Sequence, residues 1–184
     1  MINREAFERA RRETDFVAEL ALSLKELADD LEGCADREDL ECVMKTRRAL
    51  DSKREKVWDI AQRYAPPELR DRWRETIELR VREFDDMASK IQNLAGAGNW
   101  EAAYGWCLDL DETVIDRAMR DMDEALVQRY LEIAGTPPPR GSATLGQAHA
   151  PSNETGILRC RFCGSPYAYR ENLELHERSC PKRG

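Results

Sequence analysis

The stretch RYAPPELRDRW, residues 63–73, lies between two segments whose apolar residues recur at helical spacing. Proline fixes its own φ and has no N–H to donate, so Pro66 and Pro67 prevent a preceding helix from continuing. Proline is well tolerated in the first turn of a helix. We therefore predict that one helix ends just before the prolines and that another begins at them.

Two helices are predicted on the N-terminal side of this break. Between Asn3 and Leu31 the apolar residues recur at alternating steps of three and four, which is typical of an amphipathic helix, and we expect Gly33 to end it. Asp36 and Asp39 are the candidates to cap a second helix. The apolar positions of this second helix are Leu40, Val43, Leu50, Val57, Ala61 and Tyr64.

Two more helices are predicted on the C-terminal side. The third is expected to run from the prolines to the break at Gly96-Ala97-Gly98, and Asn99 is expected to cap the fourth. The third helix carries Trp73, Ile77, Phe84, Met87, Ile91 and Leu94 at helical spacing. The fourth carries Trp100, Ala103, Cys107, Leu110 and Val114, followed by Ala118, Met122, Ala125, Leu126, Tyr130 and Ile133.

Four long helices joined by short connections favour antiparallel neighbours. We predict a mainly α fold: an antiparallel four-helix bundle over residues 1–135, a flexible Pro/Gly/Ser-rich linker over 136–156, and a small separate domain over 157–184. The heptad-like seam of the first helix leaves a second arrangement open, in which long helical hairpins complete their core by dimerising.

Several charged residues fall on the apolar stripes, namely Arg47, Arg54, Arg80, Asp111, Arg117 and Asp121. One interpretation is that these residues form an ion-pair layer or charged pocket within the bundle. We favour the other, in which they lie at helix boundaries with their charged ends in solvent. The second helix also has a local net charge of +4 between Lys45 and Lys56. We expect this basic run to pair with acidic neighbours, and the alternative is that it binds phosphate or an acidic partner.

The composition and the missing motifs narrow the function. The net charge of the chain is −7, which divides into −10 for residues 1–135 and +3 for the remainder. No signal-peptide or membrane-spanning segment is found, so we expect a cytoplasmic protein with reduced cysteines, and Cys34, Cys42 and Cys107 as core or boundary residues. The chain has no nucleotide-binding glycine loop, and its only histidines are His149 and His176. We do not expect an enzyme.

The end of the chain has metal-ligand spacing. Cys160 and Cys163 are separated by two residues, His176 follows after twelve more, and Cys180 after three more. A tight turn and one turn of helix would bring three sulfurs and one nitrogen around a single ion, which is a tetrahedral ligand set that zinc prefers. Because such a set leaves no position for a catalytic water, we predict that Zn²⁺ has a structural role here.

Three apolar residues extend this pattern, since Leu158 precedes the first cysteine, Tyr167 follows the second, and Leu173 precedes the histidine. With the four ligands, residues 158–184 resemble the ββα zinc-finger superfamily in its C2HC variant, whose small members include ubiquitin-binding fingers. The resemblance implies two strands and a helix, with the three apolar residues as the core of the finger. It covers nothing before residue 158.

The resemblance also bears on the partner, because it places Tyr169, Glu171, Asn172 and Leu175 where DNA-reading fingers contact bases. Only Asn172 is a good base reader, whereas Phe162, Tyr169 and Leu175 favour contact with a protein. We therefore predict a non-enzymatic interaction or adaptor protein whose helical bundle assembles or docks and whose finger contacts a protein partner. Homo-oligomerisation stays open and no membrane contact is expected. The alternative is an oligomeric nucleic-acid-binding regulator that uses the finger and basic residues.

Overall fold

The computed structural model describes residues 3–135, 158–162, 164, 166–167 and 173, and the predicted linker lies outside these residues. The described part is mainly helical and contains four helices, which confirms the predicted fold class at that level. The first three are α1 (Arg4–Asp36), α2 (Leu40–Tyr64) and α3 (Pro67–Gly96). The fourth consists of α4 (Trp100–Leu110), a π-helical turn (Asp111–Ile115) and α5 (Asp116–Ala134), which follow one another without a break.

The proline pair has the predicted role. Ala65 is extended at the end of α2, and its N–H donates to the carbonyl of Ala61. Pro66 is also extended, with φ −64° and ψ 152°, and Pro67 begins α3. The chain therefore changes direction where proline removes the next helical hydrogen bond and disfavours the helical conformation of the residue before it.

The α1–α2 and α3–α4 connections are built alike. Each has one residue with positive φ, Glu38 at 54° and Gly98 at 74°. The next N–H reaches back five residues, from Asp39 to Cys34 at 3.0 Å and from Asn99 to Leu94 at 2.9 Å. These are features of the Schellman helix end. The prediction that Gly33 ends α1 is wrong, because α1 continues to Asp36 and Glu38 adopts the left-handed conformation that glycine supplies in the other turn.

The predicted caps at Asp39 and Asn99 are confirmed. Asp39 Oδ1 accepts from the N–H of Cys42 at 2.9 Å, and Asn99 Oδ1 accepts from that of Ala102 at 3.3 Å. Asp36 is not a cap, since it is the last residue of α1.

Replacing Asn99 by alanine is expected to lower the free energy of unfolding by about 1 kcal/mol, because one N–H of the first turn of α4 loses its acceptor. Chemical denaturation followed by circular dichroism measures the change. Asn99→Asp retains an acceptor and is the matched control. Equal losses in the two variants would show that the side-chain cap does not stabilise the helix.

The chain divides into two compact units, and the larger is Glu13–Met122. In this unit every pair of neighbouring helices is antiparallel, because ascending residue numbers on one helix meet descending numbers on the next. Glu19 and Glu26 of α1 pair with Lys56 and Lys53 of α2. Arg47 and Arg54 of α2 pair with Asp85 and Glu78 of α3. Arg80 and Glu83 of α3 pair with Asp121 and Arg117 of α5. Glu32 and Lys25 of α1 contact Tyr104 and Asp111 of the fourth helix.

Most of the core of this unit lies on the predicted apolar stripes, and Phe16 and Leu69 are additions to them. The largest side chains with less than 2% exposure include Phe16, Phe84, Leu24, Leu31, Leu69, Ile77, Ile91 and Leu110. Residues 14, 17, 20, 21, 24, 27, 28 and 31 of the α1 stripe are all buried. Phe16 was not among the predicted core residues, and its ring centroid lies 6.4 Å from that of Trp58 in α2.

The other unit comprises Met1–Arg12 and Asp123–Gly184. In its helical part, Phe7 of α1 meets Tyr130 of α5 edge to face, with ring centroids 6.1 Å apart. The Tyr130 hydroxyl also accepts from the N–H of Asn3 at 3.3 Å. This unit contains the short antiparallel strands β1 (Leu158–Arg159) and β2 (Pro166–Tyr167), in which Leu158 pairs with Tyr167.

None of the helices in the described part is both long enough and apolar enough to cross a membrane.

Candidate functional site

A groove of about 520 Å³ lies between α2 and α3 and is lined by four arginines. We call it the arginine groove. Its α2 residues are Met44, Arg47, Arg48, Leu50, Asp51 and Arg54, and its α3 residues are Glu78, Val81, Arg82, Asp85 and Gln92. Two ion pairs between the helices border the groove. In each of them the arginine belongs to the basic run of α2.

The first ion pair joins Arg47 to Asp85 by two hydrogen bonds, from Nε to Oδ1 at 2.8 Å and from Nη2 to Oδ2 at 3.2 Å. Arg47 Nη1 also donates to Gln92 Oε1 at 3.2 Å. The hydrogen bonds to Asp85 raise the pKa of Arg47, so this guanidinium keeps its charge. The planar fork fixes the direction in which the guanidinium points.

The second ion pair joins Arg54 to Glu78, with Nη2 to Oε2 at 2.7 Å and Nε to Oε1 at 3.2 Å. Trp58 Nε1 donates to the same Oε1 at 3.1 Å. Arg47 and Arg54 are seven residues apart, which is about two helical turns or 10 Å along α2. The groove therefore has a fixed guanidinium near each end.

Arg48 and Arg82 also line the groove, and both side chains are exposed. Neither makes an ion pair with any residue that the structure describes. In sequence Arg82 falls midway between Glu78 and Asp85, so it lies on the stretch of α3 between the two ion pairs. These two guanidiniums are available to an anion from outside the chain.

The structure shows the first of the two arrangements considered for the basic run on α2, and only for part of the run. Pairing with acidic neighbours is confirmed for four of its cations, Arg47, Lys53, Arg54 and Lys56. Lys45 and Arg48 have no carboxylate partner among the described residues. The acidic neighbours include Asp85, as predicted, and also Glu19, Glu26 and Glu78 on α1 and α3.

A second charged cluster joins α3 to α5, close to the π-helical turn. Arg80 Nε donates to Asp121 Oδ2 at 2.7 Å, and Arg80 Nη1 donates to Glu83 Oε2 at 2.9 Å. Glu83 Oε1 accepts from Arg117 Nη1 at 2.7 Å. The Arg80 and Asp121 side chains are only 13% and 16% exposed. An ion-pair layer is therefore present at Arg80, whereas Arg117, at 43% exposure, lies at the boundary with solvent.

Burial and ion pairing shift the pKa values of Asp121 and Arg80 in opposite directions. Burial raises the pKa of Asp121 above its usual value, and the hydrogen bonds from Arg80 oppose that rise without cancelling it. For Arg80, burial lowers the pKa, but the bonds to Asp121 and Glu83 outweigh it and leave the pKa raised. Because arginine is charged under all ordinary conditions, Asp121 is the member of this pair whose protonation can change with pH.

Cys34 and Cys42 form a disulfide across the α1–α2 connection, so the prediction that these cysteines are reduced is wrong. The helix end at Asp36 and the left-handed Glu38 bring their Cα atoms to 5.6 Å, within the range that a disulfide spans. The expectation for Cys107 is confirmed, since it is a buried thiol. Burial raises its pKa to about 11.

Of the four predicted zinc ligands, one, Cys160, falls among the described residues. Cys160 is buried and its carbonyl accepts from the N–H of Gly164 at 2.8 Å. Gly164 has a φ of 77°, and its own carbonyl accepts from Arg159 Nη1 at 3.1 Å. The other three ligands, Cys163, His176 and Cys180, lie outside the described residues.

The identification of residues 158–184 as a ββα zinc finger must be corrected. Within residues 3–135 and the described positions from 158 to 173, no group of three or more His, Cys, Asp or Glu side chains could hold a metal ion. A finger is organised by four ligands around one ion, and Cys160 is the only predicted ligand in this part of the chain. Zinc coordination by Cys160, Cys163, His176 and Cys180 has not been tested and stays a prediction.

The predicted finger core and partner contacts are placed only in part. Leu158 and Tyr167 are backbone partners in the β1–β2 register, and Leu173 is helical and half-buried. Phe162 is half-buried, with the guanidinium carbon of Arg161 4.8 Å from its ring centroid. The remaining partner candidates, Tyr169, Asn172 and Leu175, lie outside the described residues.

The arginine groove was not predicted as a site, although the sequence contained one signal for it. The local charge of +4 on α2 stands out in a segment of net charge −10. What the sequence lacked was the register between α2 and α3, which decides that Arg82 faces the same groove. Comparison of the chain with protein-family models, with characterised proteins and with solved structures finds no match in any of the three.

Proposed function

We propose that the chain is a non-enzymatic interaction protein whose helical bundle docks an acidic segment of a partner protein in the arginine groove. The observation that carries the proposal is that Arg48 and Arg82 are exposed in one groove and have no carboxylate partner among the described residues. Guanidinium groups bind carboxylates with directed, charge-assisted hydrogen bonds.

The lining of the groove supports binding rather than catalysis. Its residues include no histidine, cysteine, serine, threonine, tyrosine or lysine. Two of its three carboxylates, Glu78 and Asp85, are already hydrogen-bonded to Arg54 and Arg47, so neither is poised to accept a proton from a substrate.

Charge and length favour an acidic protein segment over a nucleic acid. The surrounding segment 1–135 has a net charge of −10, which repels a long polyanion, whereas a short acidic segment interacts mainly with the groove itself. The stretch of α2 from Arg47 to Arg54 that lines the groove is about 10 Å long, which two or three acidic side chains on an extended or helical peptide would span. We also propose that the helical bundle assembles with further copies of the chain.

The test uses the full chain and a fluorescein-labelled hexaglutamate peptide, with binding followed by fluorescence anisotropy at low salt. Replacing both Arg48 and Arg82 by glutamine is expected to weaken binding about tenfold, because two exposed ion pairs contribute about 0.7 kcal/mol each. The matched control is Arg12→Gln with Arg63→Gln, which removes the same charge from exposed positions outside the groove. The control is expected to bind within about twofold of the unmodified chain.

Two outcomes would contradict the proposal. In one, the groove and control variants bind hexaglutamate equally, so that only total charge matters. In the other, a single-stranded oligonucleotide of equal charge binds more tightly than the peptide, with a steep salt dependence that the groove variant reduces. That second result would favour the nucleic-acid alternative.

A further inference from the structure

The disulfide between Cys34 and Cys42 has surroundings that suit reversible thiol chemistry. Its cysteines are eight residues apart, one in the last turns of α1 and the other at the third position of α2. The two sulfur atoms differ in access, because Cys34 is fully buried whereas Cys42 is half-buried. A reagent in solution therefore meets Cys42 first.

Two positive groups favour the thiolate form of Cys42 in the reduced protein. Arg37 Nη2 lies 3.6 Å from its Sγ, and the thiol is in the first turn of α2, where the helix dipole stabilises negative charge. Opposing them are the carboxylates of the same connection, on Asp36, Glu38, Asp39 and Glu41. These carboxylates and Arg37 are all exposed, and Asp39 also accepts from the N–H of Cys42, but the guanidinium is the charge in contact with the sulfur and therefore has the larger effect.

The surroundings of Cys34 are different. Its sulfur lies 3.8 Å from Thr46 Oγ1 and has no exposed surface. An external oxidant has little access to it, but Cys42 is close enough for an exchange within the protein. A partly exposed cysteine near a positive charge, with a second cysteine beside it, is the usual arrangement of a redox-sensitive pair.

We propose that Cys34 and Cys42 are a reversible thiol–disulfide pair, in which Cys42 attacks and Cys34 resolves, and that the oxidant is a low-molecular-weight disulfide. The Cys42 thiolate attacks one sulfur of the oxidant, whose S–S bond breaks and releases one thiol. The Cys34 sulfur, losing its proton, then attacks Sγ of Cys42 and releases the second thiol. Two protein thiols are oxidised to one disulfide while the oxidant is reduced to two thiols. This inference does not depend on the arginine groove.

The first experiment measures reactivity on the reduced full-length chain. Iodoacetamide is added at pH 7, and the labelling of the peptides that contain Cys34, Cys42 and Cys107 is followed by mass spectrometry. Cys42 is expected to react at least about tenfold faster than Cys107, whose pKa of about 11 leaves almost no thiolate. Arg37→Gln is expected to slow the reaction of Cys42 several-fold, whereas Arg63→Gln, at an exposed position of α2 outside the arginine groove, leaves the rate unchanged. Equal rates at Cys42 with and without Arg37 would overturn the proposal.

The second experiment identifies the order of attack with oxidised glutathione. Cys34→Ser is expected to accumulate glutathione on Cys42, because no thiol remains to resolve the mixed disulfide. Cys42→Ser is expected to leave Cys34 at least about tenfold less modified, and circular dichroism confirms that both variants are folded. Equal glutathione modification in the two variants would refute the assigned roles. The proposal would also be refuted if the chain without substitutions stayed reduced under the same treatment. If a variant does not fold, the labelling of Arg37→Gln still decides the question.

Discussion

Replacing Phe84 by alanine is expected to lower the free energy of unfolding by about 4 kcal/mol. Phe84 has no exposed surface and lies in the middle of α3, the helix that pairs with both α2 and α5. Removing its ring loses the transfer free energy of the aromatic side chain and leaves a cavity that long, mutually packed helices close only in part. Denaturation by urea, followed by circular dichroism, gives the difference from the change in midpoint at constant slope.

Leu79 provides the control on the same helix, because its side chain is 41% exposed. Leu79→Ala should cost less than about 1 kcal/mol, since little of the side chain leaves an apolar environment. Similar losses at the two positions would mean that α3 does not bury the face that contains Phe84. A large loss at Leu79 alone would show that the opposite face is covered, for example by a second copy of the chain.

The buried face of α3 could be predicted because it follows from periodicity alone. Trp73, Ile77, Phe84 and Ile91 are buried as predicted. Met87 and Leu94 were also expected there but are only half-buried, and the neighbouring alanines Ala88 and Ala95 are buried instead. Periodicity gives the direction of a face to within about one residue, whereas the choice between neighbours depends on the position of the adjacent helix.

Phe16 was missed for a related reason. A helix with neighbours on two sides needs a wider apolar stripe than one seam of alternating steps describes. In the structure α1 contacts α2 through Phe16 and the fourth helix through Lys25 and Glu32. The number of neighbours of a helix is a tertiary property, so the width of its buried face could not be inferred from α1 alone.

The apolar spacing in the fourth helix indicates the π-helical turn, although the turn was not predicted from it. Leu110, Val114, Ala118 and Met122 are separated by three consecutive steps of four, which would rotate the stripe around an ordinary α-helix. In the π turn the N–H of Asp116 reaches Asp111, five residues back, so the extra residue is accommodated and all four side chains stay buried. A run of equal steps therefore marks a place where helical geometry changes.

The disulfide and the groove depended on information that periodicity does not contain. The Cys34–Cys42 bond requires the position at which α1 ends, and the sequence suggested Gly33 rather than Asp36. The groove requires the register of α2 against α3, which is set by contacts between the helices. Charges on the stripes could be recognised from the sequence, but their partners could not, and the Arg80 pair is the clearest case.

Replacing Arg80 by methionine is expected to lower the free energy of unfolding by about 2–3 kcal/mol at neutral pH. Removing one member of a fully buried ion pair costs about 3–5 kcal/mol, and the residual exposure of Asp121 reduces this figure. Glu83 keeps its bond to Arg117, so the uncompensated charge is that of Asp121. Urea denaturation at pH 7 measures the loss.

The double variant Arg80→Met with Asp121→Leu separates the loss of packing from the unpaired charge. It removes both charges and is expected to come within about 1 kcal/mol of the original chain, because apolar residues often replace such a pair without net cost. If the double variant is as unstable as the single one, methionine simply packs badly against α5. Asp121 would then contribute nothing to the loss.

The pH dependence of the Arg80→Met variant gives the stricter test, because its sign is fixed by Asp121. Burial already holds the pKa of Asp121 above its ordinary value, and losing the hydrogen bonds from Arg80 raises it further. The folded variant therefore binds a proton at Asp121 more readily than the unfolded chain does, so its stability increases as pH falls through the folded pKa. The deficit relative to the original chain should shrink steadily from pH 7 towards about pH 4. A deficit that stays constant over this range would show that the Asp121 carboxylate is not the origin of the loss.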